Sequence, residues 1–312
     1  MTIRAVTPSG KGYTFSNPLT VSYKSDIDAP ADSLDVTFAC TQAPEELATA
    51  TAYDGDTLFF AGVVDEQIVS ASAKGCLLTL KLRSLAAMLL DNESIPCVYY
   101  DVCLADLAVK HLKPYGLTLG NIPNRNQRYT SFVVRKGMSE WDVIERFCLE
   151  KIGVRILVDE SGTLVSKSAP EGFAVRFGNG GAGARPYLSA SVRNKRCDAV
   201  GSILVKTAKD SGYTVAVESP AARARGITAR HLLDVSGGTA IPAEVHLQRA
   251  NFDLFSVSVI VNGAPPALLW NRAAFEDARL GRFENLLVSS VHFTQSADGA
   301  QTQLVLADSR LL

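Results

Sequence analysis

The chain has 312 residues, with 31 basic and 32 acidic side chains, a formal net charge of -1 and 47% hydrophobic residues. That length accommodates two or three ordinary domains, and the composition is that of a folded rather than a disordered chain. The balanced charge leaves no overall field to attract nucleic acid or an anionic membrane, so partners have to be argued locally.

Near the N-terminus, Gly10-Lys-Gly12 interrupts the stretch where a secretory signal needs an unbroken apolar core, and no apolar run is long enough to span a bilayer. A protein made in the cytosol, and leaving it only inside a larger particle, is the expectation. The six cysteines, Cys40, Cys76, Cys97, Cys103, Cys148 and Cys197, form no C-x-x-C, and several fall within apolar strand or helix patterns. They are expected to be reduced core thiols.

From Leu19 to Leu89 the chain reads as strands. Leu19–Tyr23, Leu34–Phe38, Ala48–Tyr53, Thr57–Val64 and Cys76–Leu82 alternate apolar with polar residues, and Asp54-Gly-Asp56 and Ala73-Lys-Gly75 punctuate them as turns. An antiparallel sheet or barrel follows. Asp101–Lys113 then changes character, with Val102, Leu104, Ala105, Leu107, Ala108 and Leu112 at helical spacing and Pro114-Tyr-Gly116 as the stop.

A second helix is predicted from Ser139, three residues before Asp142 as in a capping box, through Val143, Ile144, Phe147 and Ile152 to Gly153. Val154–Val158 and Thr163–Ser166 flank a turn at Asp159–Gly162 and predict a hairpin. The run Phe177–Pro186 is too rich in glycine to hold a regular element and is expected to be a flexible domain junction. Strands resume at Ala199–Thr207, Tyr213–Val217, Phe255–Val261, Leu286–Thr294 and Gln303–Leu306, interrupted by a basic stretch at Ala221–Leu233.

Two of these regions are alike. At a constant offset of 224 residues, Phe59 falls on Phe283, Val64 on Val288, Ser72-Ala73 on Ser296-Ala297, Gly75 on Gly299, Leu80 on Leu304 and Leu82 on Leu306, without a gap. The matches sit on strand and turn positions that set register, which points to two related hairpins, Thr57–Leu82 and Gly281–Leu306. A homotrimer of chains carrying a duplicated unit presents six such units, so it can face a six-fold ring on one side and a trimer on the other.

Gly62-Val-Val-Asp65 followed by Leu80-Lys-Leu-Arg-Ser-Leu85 resembles the baseplate hub family of contractile tails, which includes the Mu-type, late-control-D-like and Gram-positive prophage hubs. The likeness continues in order through Leu85–Asp91, Ile95-Pro96, Leu104-Ala-Asp-Leu107, Pro114-Tyr-Gly116, Lys136–Ile144, Gly153 and Asp159–Leu164, and closes at Asp277–Gly281 before Leu286-Leu-Val288. The resemblance implies a β-rich α+β chain with two tube-like antiparallel β-barrel domains and an α+β domain between them. The corresponding spans are 1–91, 92–178 and 179–312, the last with a basic insertion near 219–250.

It further implies a homotrimeric structural hub of a virion tail or tail-like particle. Such a hub is assembled in the bacterial cytoplasm between the tail tube or its initiator and a central spike, with the tape-measure protein as a further partner. It implies no catalytic residues, cofactor or metal. The alternative function is a receptor- or carbohydrate-binding protein at the tail tip, using aromatics such as Trp141 and Trp270.

The remaining constellations are weak as chemistry. Cys103 and His111 lie two helical turns apart, with Cys97 just before them, beyond the reach of ligands on neighbouring turns. His231, His246 and His292 occur singly. Gly178–Gly183 has the glycine of a phosphate cradle without its Lys-Ser/Thr, and the pairs Asp26/Asp28, Asp54/Asp56 and Asp91/Glu93 fall in turns, where aspartate is common for backbone reasons. The one local basic concentration is Lys195-Arg196 with Arg223, Arg225 and Arg230. It has few aromatics for base stacking, so specific nucleic acid is not expected, and Arg223, Arg225 and Arg230 are the candidate partner-docking residues.

Overall fold

A computed structural model describes residues 1–73, 75–167, 175–180, 183–236, 241–263 and 268–311. The chain separates into two compact units. One comprises Met1–Ser168, Asn262–Leu269 and Ser290–Thr302; the other comprises Ala169–Val261, Trp270–Ser289 and Gln303–Leu312.

The first unit opens with a hairpin that sequence reading missed, β1 (Thr2–Val6) and β2 (Gly12–Ser16). Five strands follow: β3 (Thr20–Asp26), β4 (Ser33–Cys40), β5 (Thr49–Asp54), β6 (Thr57–Ser72) and β7 (Gly75–Ser84). They pair antiparallel in the order β3-β4-β7-β6-β5-β1-β2. Alternation puts Val21, Tyr23, Leu34, Val36, Phe38, Leu78, Leu80 and Leu82 on one face, where they are buried together. At Asp65 a bulge interrupts the β6–β7 register, and β6 runs on well past the predicted Val64.

A short helix, α1 (Ala87–Leu90), leads into β8 (Cys97–Val102), α2 (Leu104–His111), β9 (Thr118–Leu119), β10 (Tyr129–Val134), α3 (Glu140–Phe147), β11 (Arg155–Val158) and β12 (Thr163–Lys167). The helix expected from Asp101 begins three residues later. Asp101 has φ 47°, residues up to Val102 belong to β8, and the Cys103 N–H donates to the Asp106 carboxylate at 3.2 Å as the helix starts.

The α3 start is as predicted. Ser139 Oγ accepts from the Asp142 N–H at 3.1 Å, and the Asp142 carboxylate accepts from the Ser139 N–H at 2.8 Å. A wider turn, Cys148–Ile152, carries the helix to Gly153, whose φ of 78° ends it. The apolar stripes of α2 and α3 meet Phe132, Val134 and Leu164 in a core of their own.

The rest of the chain contains β13 (Val175–Gly178), β14 (Ser189–Asn194), β15 (Ser202–Lys206), β16 (Val215–Glu218), α4 (Pro220–Ala224), β17 (Arg230–Asp234), α5 (Ala243–Asn251), β18 (Phe255–Asn262), β19 (Arg272–Asp277), β20 (Gly281–Ser296) and β21 (Gly299–Asp308); Asn262, β20 from Ser290 and β21 through Thr302 belong to the first unit, and the remainder of these elements to the second. Two readings are corrected here. The basic stretch is not an interruption, because it forms α4 and then β17, which pairs parallel with β15. The glycine-rich run does hold a regular element at its start. Val175–Gly178 is a strand parallel to β19, and a Cβ at Gly178 would stand 2.8 Å from the Glu276 carbonyl oxygen, so glycine permits the close approach. Gly181 and Ala182 lie outside the described residues.

The two hairpins correspond residue for residue. Gly281–Ser296 and Gly299–Asp308 have the bounds of Thr57–Ser72 and Gly75–Ser84 moved by 224 positions, and both turns end on a left-handed glycine, Gly75 at φ 130° and Gly299 at φ 120°. Leu78, Leu80 and Leu82 are buried, as are Thr302, Leu304 and Leu306. The likeness extends to the neighbouring strands. The order β3-β4-β7-β6-β5 is repeated as β14-β18-β21-β20-β19.

Candidate assembly surfaces

Strand edges are the main unsatisfied feature, since an edge offers a row of backbone donors and acceptors to a further strand. On β6, the partner strand β5 stops opposite Val63, and past Val64 the stretch Glu66–Ala71 keeps only β7 as a strand neighbour among the described residues. Its start is held by Gln67, whose side chain accepts from the Leu47 N–H at 2.9 Å and donates to the Glu45 carbonyl at 3.2 Å. Ile68, Val69 and, on β7, Leu77 are exposed.

At the bulge, Arg83 donates to both oxygens of Asp65, at 2.5 and 2.9 Å, and to both of Asp91, at 3.0 and 2.7 Å. These hydrogen bonds push the guanidinium pKa up and hold the Asp91 carboxyl below the usual range, so the geometry of the outgoing strand is fixed by a charged fork. A second open edge lies on β14, whose one strand partner among the described residues is β18.

The counterpart of the open β6 edge is not open. In the first compact unit, the outer half of β20 pairs antiparallel with β3, from Ser290 opposite Asp26 to Gln295 opposite Val21. His292, single in the sequence, sits in this pairing with Ser22 Oγ 3.2 Å from its Nε2, and burial holds its pKa below the ordinary histidine value.

The three candidate arginines do not act as one group. Arg225 donates to Asp308 at 3.1 Å and lies over the Phe255 ring at 4.5 Å from its centroid. Asp308 is 1% exposed and also receives Arg310 at 2.7 Å. Burial pushes the Asp308 carboxyl up, but the bonds from Arg310 and Arg225 outweigh it and hold the group below the ordinary range. Arg223 pairs with Glu218 at 2.9 Å, and Arg230 is exposed at the start of β17. Arg196 joins the Arg225 region by donating to that residue's carbonyl at 2.7 Å, whereas Lys195 is bound to Asp198 and Asp253.

The catalytic and metal alternatives find structural partners instead. His111 is buried with both ring nitrogens occupied: Nδ1 is hydrogen-bonded to the Glu140 carboxylate, with Ser94 Oγ at 3.5 Å, and Nε2 lies 3.1 Å from the Tyr99 hydroxyl. Burial raises the Tyr99 pKa. Among the described residues no three His, Cys, Asp or Glu side chains group as a metal site. Asp28 pairs with Arg155, and Glu93 accepts from the Gly137 N–H. A cavity of about 570 Å³ beside Gly178 is lined by Glu276, Asp277 and Glu284 as well as by Arg176 and Arg282, a poor receptor for phosphate. Trp141 and Trp270 are buried, so neither offers a ring to a sugar. Among the described residues no helix is long and apolar enough to cross a membrane.

No protein-family model matches the chain, and no curated protein sequence matches it. Its structure is similar to that of the 43 kDa tail protein of prophage MuSo2 from Shewanella oneidensis, with a TM-score of 0.78 and 16% identity over 100% of this chain and 99% of that one. It is similar also to the tail protein from Neisseria meningitidis MC58, with a TM-score of 0.74 and 17% identity over 99% and 97% of the two chains. The chain carries a phage tail-protein fold.

This tail-protein fold reaches further. The E. coli c3393 protein, described as a component of the type VI secretion system with structural similarity to T4 bacteriophage tail proteins gp27 and gp5, matches with a TM-score of 0.56 and 12% identity over 93% of this chain and 73% of that one. The β-rich α+β class and the tail-protein resemblance read from the ordered motifs are borne out at the level of the fold.

Proposed function

We propose that the chain is a non-enzymatic structural hub of a contractile-tail baseplate, acting as a homotrimer that joins the tail tube or its initiator to the central spike, with the tape-measure protein as a further partner. It is assembled in the bacterial cytoplasm and carried in the particle. Its working domains are the first barrel over residues 1–91, the α+β domain over 92–178 and the second barrel over 179–312, and Arg223, Arg225 and Arg230 are its docking candidates.

The observation that carries this reading is the unequal fate of the two corresponding hairpins. One has its outer edge paired with β3, and the other has it open. The strand corresponding to β3 is β14. Gly263 donates to the Ala300 carbonyl at 3.0 Å where Cys40 opposes Cys76, which makes Val257 the counterpart of Leu34. Leu34 opposes Tyr23 and Val257 opposes Val192, so Val192 corresponds to Tyr23.

Repeating the β20–β3 pairing on the two open edges sets Val69 opposite Val192 of the partner subunit and Ala71 opposite Ala190 of the partner subunit. Both pairs fall on the side that faces the core in β20–β3, while Ile68 meets Arg193 of the partner subunit on the other side. Three chains joined head to tail in this register close a ring of six like units about a three-fold axis.

The register is tested in a chain carrying Val69→Cys and Val192→Cys, with Cys40, Cys76 and Cys197 replaced by alanine. Oxidation is expected to give a covalent trimer, and mixing the two single variants only covalent dimers. Failure of these cysteines to join while neighbouring register pairs do so would overturn the arrangement.

A further inference from the structure

All six cysteines are free thiols, as expected, and Cys148 is buried with its thiol pushed up to about 12 by burial. Cys40 and Cys76 differ in meeting each other. These residues stand directly opposite each other on β4 and β7, and their sulfurs are 2.9 Å apart, with the Cys40 thiol donating to the Cys76 sulfur. Both share the core-facing side of the sheet with Phe38 and Leu78, but at its end, where each is partly exposed. The backbone spacing of paired strands brings opposed Cβ atoms close to the separation a disulfide spans, and here the side chains already face each other. Access, proximity and orientation therefore coincide at this pair alone among the described thiol pairs.

We propose that Cys40 and Cys76 are a redox modification site, closing to a cross-strand disulfide by exchange with a small-molecule disulfide such as oxidised glutathione. The steps balance. The Cys76 sulfur, which receives the S–H···S bond, attacks one sulfur of the small disulfide as a thiolate, forming a mixed disulfide and expelling one thiolate. Cys40, deprotonated, then displaces the second thiolate and closes the Cys40–Cys76 bond. The two protein thiols are oxidised, the small disulfide is reduced to two thiols, and the two protons are taken up by the departing thiolates. The hydrogen bond to Cys76 raises the Cys40 pKa, consistent with Cys40 acting second.

The location gives the bond a consequence. Cys76 also lies opposite Ala71, inside the open stretch of β6, so the closed pair would tie β4 to the hairpin that carries this edge. The corresponding positions in the second repeat are Gly263, at the end of β18, and Ala300 on β21, so no such clamp can form there.

The test uses the isolated full-length chain and is independent of its assembly. After treatment with oxidised glutathione, peptide mapping is expected to find the Cys40 and Cys76 peptides joined, while exposed Cys197 carries glutathione as an internal control for reactivity. Dithiothreitol should separate the peptides again. The oxidised protein should melt roughly 5 °C higher than the reduced one, because a loop of this length is closed in its unfolded state. In Cys40→Ser, Cys76 should retain glutathione as a stable adduct. Wild-type protein in which Cys197 is capped while Cys40 and Cys76 stay free, or carry glutathione without joining, would overturn the proposal.

Discussion

Arg225→Ala provides a sharp test of the reading that this arginine holds the second unit together. The substitution removes the 3.1 Å bond to Asp308 and the cation over Phe255, leaving a carboxylate that is 1% exposed with Arg310 as its remaining cation. A charge-assisted hydrogen bond contributes about 1.5–3 kcal/mol and a partly buried cation–π contact about 1 kcal/mol. The two are lost together and Arg310 compensates in part, so the net cost is about 2 kcal/mol, or a melting temperature lower by about 4–8 °C. Arg223→Ala breaks only a solvent-exposed pair with Glu218 and should cost under about 0.5 kcal/mol. The assay is thermal unfolding followed by Trp270 emission in a Trp141→Phe background. Equal, small shifts for the two arginines would refute the reasoning.

Asp32 gives a pH dependence of opposite sign to the usual acidic group. Its carboxyl accepts from the Tyr23 hydroxyl at 2.9 Å, yet burial pushes its pKa up, so its contribution is full below the unfolded carboxylate range and is lost as pH rises through the folded value. Asp32→Asn should therefore compare more favourably with wild type at pH 7 than at pH 4 in urea melts, and a pH-independent difference would count against this. Gly62→Ala should cost about 2–4 kcal/mol or prevent folding, because its Cβ would meet the Arg83 carbonyl oxygen at 2.0 Å, and near-wild-type urea unfolding would show that the strands can part.

What the sequence reveals divides along physical lines. The hairpins, α3 and the β11–β12 hairpin were legible because their alternation, capping pair and turn glycines act within a few residues of each other. The β1–β2 hairpin was missed because its strands are five residues long and its turn was read only as an argument against a signal peptide. β8 was not read as a strand, and its last two residues were absorbed into the following helix because Val102 fits both periods.

α5 escaped because its buried stripe is no more than Ala243, Leu247 and Asn251. Asn251 earns its burial through two 2.8 Å bonds to the Val200 backbone that no local pattern announces. The site features are less legible still. The Asp308 partner of Arg225, the meeting of Cys40 with Cys76 and the open edge of β6 all depend on which strands pair and in what register, and a one-residue slip would abolish each.

The central claim is that this chain closes on itself as a three-fold ring through the β6 and β14 edges. Its most direct test is the solution mass of the purified chain beside that of a Val69→Asp, Ala71→Asp variant, measured by light scattering. The account predicts about 100 kDa for wild type, three copies of the 33.4 kDa chain, and a folded monomer for the variant. A wild-type chain that stays monomeric at every concentration and with its tail partners, or a variant that still forms the trimer, would contradict it.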